Sequence, residues 1–287
     1  MKNAILIATN GFDGTWPAVE YGAWVAQALG SDVVVLGVVE DDGAGDQTTS
    51  SSLEDVLQRA EALLAQKRLS YRIDRQHGTS EEVLPQVAQE VDGILVLGPL
   101  GRPLLRRMLV GRSIRGLLES IPTPVLYVPR ACLPLRKILI CIGGLGYEVT
   151  AEHLAVRLGA AAGAEATLLH VAPPVDFDYP TARIERDRWR DLESTDSLLG
   201  RNLRASRDAA QAAGIIASTS TRQGDVVEQI LAEARSGEYD LICMGSPHGL
   251  SGLRHLYEPR VTDEVAERAP CPVLTARFER GKSTASR

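Results

Sequence analysis

Short runs of apolar, mostly β-branched residues alternate along the chain with longer segments whose apolar residues recur at helical spacing. In the first half these runs are Ile5–Thr9, Val33–Val39, Ile94–Leu97 and Val125–Val128. Nearly continuous apolar strands separated by helices are typical of a parallel sheet that is covered by helices on both faces. Because strand–helix–strand crossovers are right-handed, the pattern predicts an α/β fold built from doubly wound open sheets.

The whole pattern occurs twice. Matching strands are NAILIATNG (3–11) with KILICIGG (137–144), and PTPVLYV (122–128) with PCPVLTA (270–276). A repeat this long is a duplicated domain rather than a solenoid of short units. The prediction is therefore two domains and a short end segment: residues 1–130, residues 136–279, and a flexible tail at 280–287.

A glycine-rich stretch, GPLGRPLLRRMLVGRS at 98–113, directly follows the strand Ile94–Leu97 and precedes a predicted helix. Ligands of doubly wound sheets bind beyond the carboxyl ends of the strands. Glycine lets backbone amides approach a phosphate closely, and the arginines of this stretch add positive charge to an otherwise acidic protein. The stretch therefore predicts an anion site. The alternative is a basic helical face that water solvates, with Arg112 filling the pocket.

In its repeated strands and its glycine-rich stretch, the chain resembles the universal stress protein family. The resemblance occurs in both halves and covers nearly the full length of the chain. Nucleotide-binding members of that family carry G-x2-G-x9-G-[ST] after the fourth strand. Gly98, Gly101 and Gly111 match the three glycines at this spacing. Arg112 stands where the family has a hydroxyl, and Ser113 follows one place later.

The resemblance implies two tandem Rossmann-like domains of the adenine nucleotide alpha hydrolase type. Each is expected to hold a five-stranded parallel sheet in the order 3-2-1-4-5, flanked by helices. Family members pair their last strands across a dimer, so the two P-x-P-V strands are expected to pair within this chain as a pseudo-dimer. A homodimer of the whole chain stays open.

The resemblance also implies contacts to the nucleoside. The family's aspartate at the end of strand one corresponds to Asn10, and its strand-two valine corresponds to Val38. The expected ligand is ATP, ADP, AMP or a phosphate ion, held by the first domain. The predicted binding residues are Asn10, Gly11, Val38, Gly98, Gly101, Gly111, Arg112 and Ser113.

The second half departs further from the family motif. Gly249 follows Gly245 after three residues rather than two, and Pro259 stands where the third glycine belongs. Proline has no N–H to offer a phosphate. The second half is therefore predicted to be degenerate, with a structural turn in place of a triphosphate site.

The composition and the absence of known motifs argue against several classes of function. A net charge of −6 argues against nucleic acid or an anionic membrane as the partner of the whole molecule. The longest apolar runs fall short of the roughly 18 residues that span a bilayer, and the N-terminus lacks the features of a signal peptide. Four cysteines without a CxxC pair indicate a reducing, cytoplasmic setting. Walker A, HExxH and GxSxG motifs are absent, so no catalytic or metal-binding residue is predicted.

These observations predict a non-enzymatic stress-response or signalling module. The alternatives are a pure interaction or scaffold protein with no nucleotide in either domain, and a slow nucleotide hydrolase. The segment 177–203 lengthens the second half and is dense in alternating charges. It predicts a long solvated helix, with Ile184, Leu192, Leu199 and Leu203 facing inward, and a lid or partner surface is the alternative.

Overall fold

A computed structural model describes residues 4–39, 47–91, 93–99, 114–143, 148–172, 192–246 and 261–277. The strands of the first half are β1 (Ala4–Thr9), β2 (Val33–Val39), β3 (Tyr71–His77), β4 (Gly93–Leu97) and β5 (Val125–Tyr127). Its helices are α1 (Trp16–Leu29), α2 (Gln47–Gln66), α3 (Ser80–Glu90) and α4 (Ile114–Ser120). A 3-10 turn, Asp13–Thr15, leads into α1.

The described part of the second half repeats this order. Its strands are β6 (Lys137–Cys141), β7 (Glu165–Ala172), β8 (Ile216–Gln223), β9 (Leu241–Ser246) and β10 (Val273–Arg277). Its helices are α5 (Val149–Ala162), α6 (Leu198–Ala212), α7 (Val226–Ser236) and α8 (Val261–Arg268).

The ten strands form one sheet in the order β3-β2-β1-β4-β5-β10-β9-β6-β7-β8. Within each half, neighbouring strands are parallel and follow the predicted order 3-2-1-4-5, so this prediction is confirmed. The same hydrogen-bond register recurs. Ile5 pairs with Val33 and Ile94, while its counterpart Ile138 pairs with Ala166 and Leu241. The two halves can therefore be compared position by position.

The halves meet at an antiparallel ladder between β5 and β10, which confirms the predicted pairing of the P-x-P-V strands. Leu126 lies opposite Leu274 in this ladder, and both side chains are fully buried. Helix α1 packs against α5 on one side of the junction, and α4 packs against α8 on the other. Because the strands of the two halves run in opposite directions, their carboxyl ends lie at opposite edges of the sheet.

The core consists of two apolar layers, one on each face of the sheet, and each layer runs through both halves. Ile7 and Ile140 lie in one layer, whereas Leu6 and Leu139 lie in the other. Side chains of adjacent strand residues point to opposite faces, so the continuous apolar runs fill both layers at once. The sheet thus holds the carboxyl ends of its strands on a rigid base.

The helix predicted across 177–203 is not continuous in its described part. Residues 173–191 lie outside the described residues, Leu192–Ser194 form a 3-10 turn, and α6 begins only at Leu198. The Ser197 hydroxyl accepts a hydrogen bond from the Gly200 amide at 3.0 Å, which starts a new helix at this point. Short polar side chains such as these compete with the helix for backbone groups.

The inward positions of that segment follow the prediction where they are described. Leu192 and Leu203 are buried, and Leu199 packs against the core. Ile184 lies outside the described residues. The apolar spacing was therefore informative about burial even where it was wrong about helix continuity.

Candidate functional site

A cavity opens at the carboxyl edge of the first half, where β1, β2 and β4 end. Its internal volume is about 10 Å³; counted out into open solvent, the empty space between these strand ends and the starts of α1 and α3 is about 250 Å³. The cavity is lined by Ala8, Thr9, Asn10, Thr15, Val38, Ser80, Leu84, Leu97 and Gly98. This is the place where doubly wound sheets bind their ligands.

Hydroxyl groups fix the turn that follows β1. The Gly11 amide donates to Thr9 Oγ1 at 3.2 Å, and Thr9 Oγ1 lies 2.6 Å from Thr15 Oγ1. The Thr15 hydroxyl in turn donates to the Phe12 carbonyl oxygen at 2.7 Å. Thr9 and Thr15 are both buried, so these bonds hold the cavity wall and the start of α1 in one arrangement.

Two glycines at the cavity are required by close packing. Gly11 has φ +83, and a Cβ there would lie 2.6 Å from the Leu53 Cα in α2. A Cβ on Gly98 would lie 2.9 Å from the Thr15 Cα. Gly98 therefore has a structural reason to be glycine that is independent of any phosphate.

The structure brings together part of the predicted set of binding residues. Asn10, Val38 and Gly98 line one cavity although they come from three strand ends, and Gly11 belongs to the adjoining turn. The other four predicted residues lie outside the described residues: Gly101, Gly111, Arg112 and Ser113. Sequence reasoning missed three hydroxyl residues of the cavity: Thr9 at the end of β1, and Thr15 and Ser80 at the starts of α1 and α3.

The cavity wall is mainly apolar, and the few polar side chains in it are uncharged. Its polar side chains are threonine, serine and asparagine, whereas Val38, Leu84 and Leu97 supply an apolar surface. Small-molecule sites commonly combine an apolar wall with a few hydrogen-bonding groups. The described lining can therefore hold a partly apolar ligand but supplies no ionisable side chain to a reaction.

The equivalent edge of the second half has different chemistry. By strand register and chain alignment, Ile142 replaces Thr9, Gly143 replaces Asn10 and Val226 replaces Ser80. Glu148 replaces Thr15 at the start of α5. The second half has thus lost the hydroxyl groups of the first-half cavity and gained a carboxylate.

His170 and Glu148 are both buried at this second edge. The His170 Nδ1 lies 2.8 Å from the Ile142 carbonyl oxygen. Burial lowers the pKa of His170, while this hydrogen bond and the charge of Glu148 act in the opposite direction. His170 is therefore a packed histidine at this edge of the sheet.

Metal and thiol chemistry find no support in the described residues. No group of three or more His, Cys, Asp or Glu side chains among them could hold a metal ion. Burial raises the pKa of the Cys141 and Cys271 thiols to about 12, which suppresses the reactive thiolate. Across the described part of the chain, no helix is both long and apolar enough to cross a bilayer.

The sequence matches the model of the universal stress protein family twice, over residues 1–129 and 134–277. The chain belongs to the universal stress protein family. Two curated relatives are similar to it. Universal stress protein Slr1230 of Synechocystis sp. is 22% identical over 309 residues, covering 96% of this chain and 100% of the relative. Universal stress protein YxiE of Bacillus subtilis is 26% identical over 158 residues, covering 50% of this chain and 99% of the relative.

Solved structures share the fold of this chain over nearly its whole length. A universal stress protein from Archaeoglobus fulgidus superposes with a TM-score of 0.70 at 18% identity, covering 96% of each chain. A functionally unknown protein, PA1789 from Pseudomonas aeruginosa PAO1, superposes with a TM-score of 0.66 at 16% identity, covering 96% of this chain and 92% of its own. The predicted family and its tandem arrangement are therefore confirmed.

Proposed function

We propose that this universal stress protein is a non-enzymatic stress-response or signalling module that binds an adenine nucleotide, or another phosphate-bearing ligand, in its first half. The observation that carries the proposal is the cavity at the ends of β1, β2 and β4. Three residues assigned to the site by sequence, Asn10, Val38 and Gly98, line it together. The proposal assigns residues 1–130 and 136–279 as the two domains, and the second domain as degenerate.

The lining of the cavity suits the parts of a nucleotide. Val38, Leu84 and Leu97 give an apolar wall for a base, and the polar groups around Thr15, which adjoins Gly98, give hydrogen bonds to a sugar and its first phosphate. The phosphates would lie against the glycine motif that starts at Gly98. In the proposal Gly101, Gly111, Arg112 and Ser113 supply those contacts, with Arg112 gripping a phosphate by its planar fork.

The chemistry of the cavity favours binding over hydrolysis. General acid–base catalysis needs an ionisable group within hydrogen-bond reach of the reacting atoms. The described lining offers threonine, serine and asparagine side chains instead. We further assign the protein to the cytoplasm, since its four cysteines are free thiols.

A thermal-shift titration tests the proposal, because a ligand that binds only the native state raises its apparent stability. Wild type and Arg112→Ser are titrated with ATP, ADP, AMP and inorganic phosphate. We expect a shorter phosphate chain to shift wild type most, since the arginine occupies space that a third phosphate needs. We expect Arg112→Ser to gain about tenfold in ATP affinity, which is about 1.4 kcal/mol.

Each failure of this titration has a definite meaning. If no nucleotide or phosphate shifts the unfolding temperature, the protein is a scaffold without a bound nucleotide. If wild type binds ATP tightest and the serine variant binds it no better, the role given to Arg112 is wrong. Release of inorganic phosphate during incubation with ATP would replace the binding function with slow hydrolysis.

A further inference from the structure

Thr15 and Glu148 occupy the same structural position in the two halves. Each is the residue that precedes the first helix of its half, α1 or α5. Their backbone dihedral angles are nearly the same, φ −83 and ψ −12 for Thr15 against φ −80 and ψ −15 for Glu148. The substitution therefore exchanges a neutral hydroxyl for a carboxylate without changing the path of the chain.

The Glu148 carboxylate lies in the part of the second half that corresponds to the first-half cavity. A Cβ on Gly143 would lie 4.0 Å from Glu148 Oε2, and Gly143 corresponds to the cavity residue Asn10. Glu148 is only 6% exposed, so this carboxylate is turned into the protein. Acidic side chains are mostly exposed in folded proteins, so a buried carboxylate at this position is unusual.

Neighbouring ionisable groups feel this carboxylate. Burial raises the pKa of Glu152, hydrogen bonding to Ser206 and the charge of His153 act against this, and the charge of Glu148 raises it further. On β7, the charge of Glu148 acts to raise the pKa of His170 against the effect of burial. Glu148 is thus a source of negative charge at this edge of the sheet.

A carboxylate at this point has two effects on an incoming phosphate. The start of a helix carries partial positive charge and therefore attracts an anion. The Glu148 carboxylate already occupies this place at α5, so a phosphate would have to compete with it. A phosphate beside it would also face a like charge in a poorly hydrated place, where charges are weakly screened. The first half has Thr15 at this position, and the described lining of its cavity contains no carboxylate.

We propose that Glu148 is the specificity-determining residue that closes the second half to phosphate-bearing ligands, by placing a buried carboxylate where the first half has the Thr15 hydroxyl. The proposal rests on the proposed function only in taking the first-half cavity as the open form of the site. It adds a determinant that lies outside the glycine motif, at the start of the first helix of the second half.

The decisive experiment changes the charge of Glu148 in the full chain. Inorganic phosphate is titrated into wild type, Glu148→Gln and Glu148→Thr, and binding is followed by the amide resonances of Thr150, Ala151 and Glu152 at the start of α5. Glutamine keeps the size of the side chain and removes the charge, while threonine restores the first-half residue. We expect both variants to bind phosphate at these amides at least tenfold more tightly than wild type. Equal binding by wild type and both variants, or none by any of them, overturns the proposal.

A reciprocal pair of variants tests the same charge in the first half. We expect Thr15→Glu to weaken ADP binding at least 100-fold relative to Thr15→Gln, because the two side chains differ only in charge. Equal affinity of this pair overturns the proposal while leaving the proposed function intact. If wild type binds no nucleotide, the proposed function fails, and the phosphate titration of the Glu148 variants still decides the role of this residue.

Discussion

The two halves of this chain share strand order, register and core, yet they differ where the strands end. In the first half the edge holds Thr9, Asn10 and Thr15 around a cavity. In the second half the matching edge holds Ile142 and Gly143, with the buried carboxylate of Glu148. The apolar layers that cover the two faces of the sheet run through both halves.

The comparison indicates that the residues at the carboxyl ends of the strands can change while the sheet keeps its strand order and register. The strands and the layers around them are held by apolar burial, which is tolerant of what lies at the carboxyl edge. The residues at the carboxyl ends differ in chemistry between the halves, and Ile142 of the second half joins the core where Thr9 of the first half lines the cavity. One half can therefore carry different side chains at these ends while the shared sheet keeps its geometry.

The largest effect is expected at the junction that both halves share. Leu274→Ala removes a fully buried side chain opposite Leu126, and should lower the free energy of unfolding by about 2–5 kcal/mol. Urea denaturation measures this loss. The control Leu198→Ala changes a side chain that is 64% exposed, and should stay within about 0.5 kcal/mol of wild type. Equal effects of the two substitutions would mean that the junction is not part of the common core.

The next effect concerns the glycine motifs of the two halves. Gly111→Val should weaken ADP binding about 100-fold, or about 2.7 kcal/mol, because a side chain keeps backbone amides away from a phosphate. Gly249→Val, at the second glycine of the second half, is the control and should leave ADP affinity unchanged. Calorimetric titration of both variants measures the difference. A loss of ADP binding in the Gly249 variant would mean that the nucleotide binds the second half, which contradicts the proposal.

A smaller effect is expected in α1, where Tyr21 corresponds to Leu154 of α5. The Tyr21 hydroxyl is buried, and it makes no hydrogen bond to any residue that the structure describes. Tyr21→Phe should therefore raise the free energy of unfolding by about 1 kcal/mol. Tyr239→Phe is the control of opposite sign, since the Tyr239 hydroxyl donates to Glu233 Oε1 at 3.2 Å. A loss of stability in the Tyr21 variant would show that its hydroxyl is satisfied.

The smallest effect concerns the pH dependence of the second half. Burial lowers the pKa of His170, so below its ordinary value of about 6.5 the unfolded chain binds more protons than the native one. The free energy of unfolding should therefore fall as the pH drops from 7 through this range, and His170→Gln should reduce that slope. His77→Gln, at an exposed position, is the control and should leave it unchanged. An unchanged slope in the His170 variant would contradict this account of the second edge.

Sequence reasoning predicted the fold because the relevant signals are local and occur twice. Apolar runs such as Val33–Val39 form strands at the predicted positions, and the P-x-P-V repeats predicted the junction. It failed within 177–203, where the polar residues around Ser197 interrupt the expected helix. Spacing alone records which residues are apolar, whereas helix continuity depends on side-chain competition for backbone hydrogen bonds.

The site was only partly predictable. Asn10, Val38 and Gly98 could be assigned because they align with a known motif, and their binding role stays a prediction. Thr15 and Glu148 carry no such signal, because each stands where a sequence simply shows the start of a helix. Thr15 lines the first-half cavity, and Glu148 occupies the corresponding position in the second half. Both positions follow from how the first helix of each half packs on the sheet.

The central claim is that one chain carries a single nucleotide site, in its first half. Isothermal titration of ADP into the full chain measures this most directly, since it gives both affinity and stoichiometry. The account predicts one site per chain, lost in Gly111→Val and retained in Gly249→Val. Two equal sites per chain, or a single site that survives Gly111→Val, would contradict it.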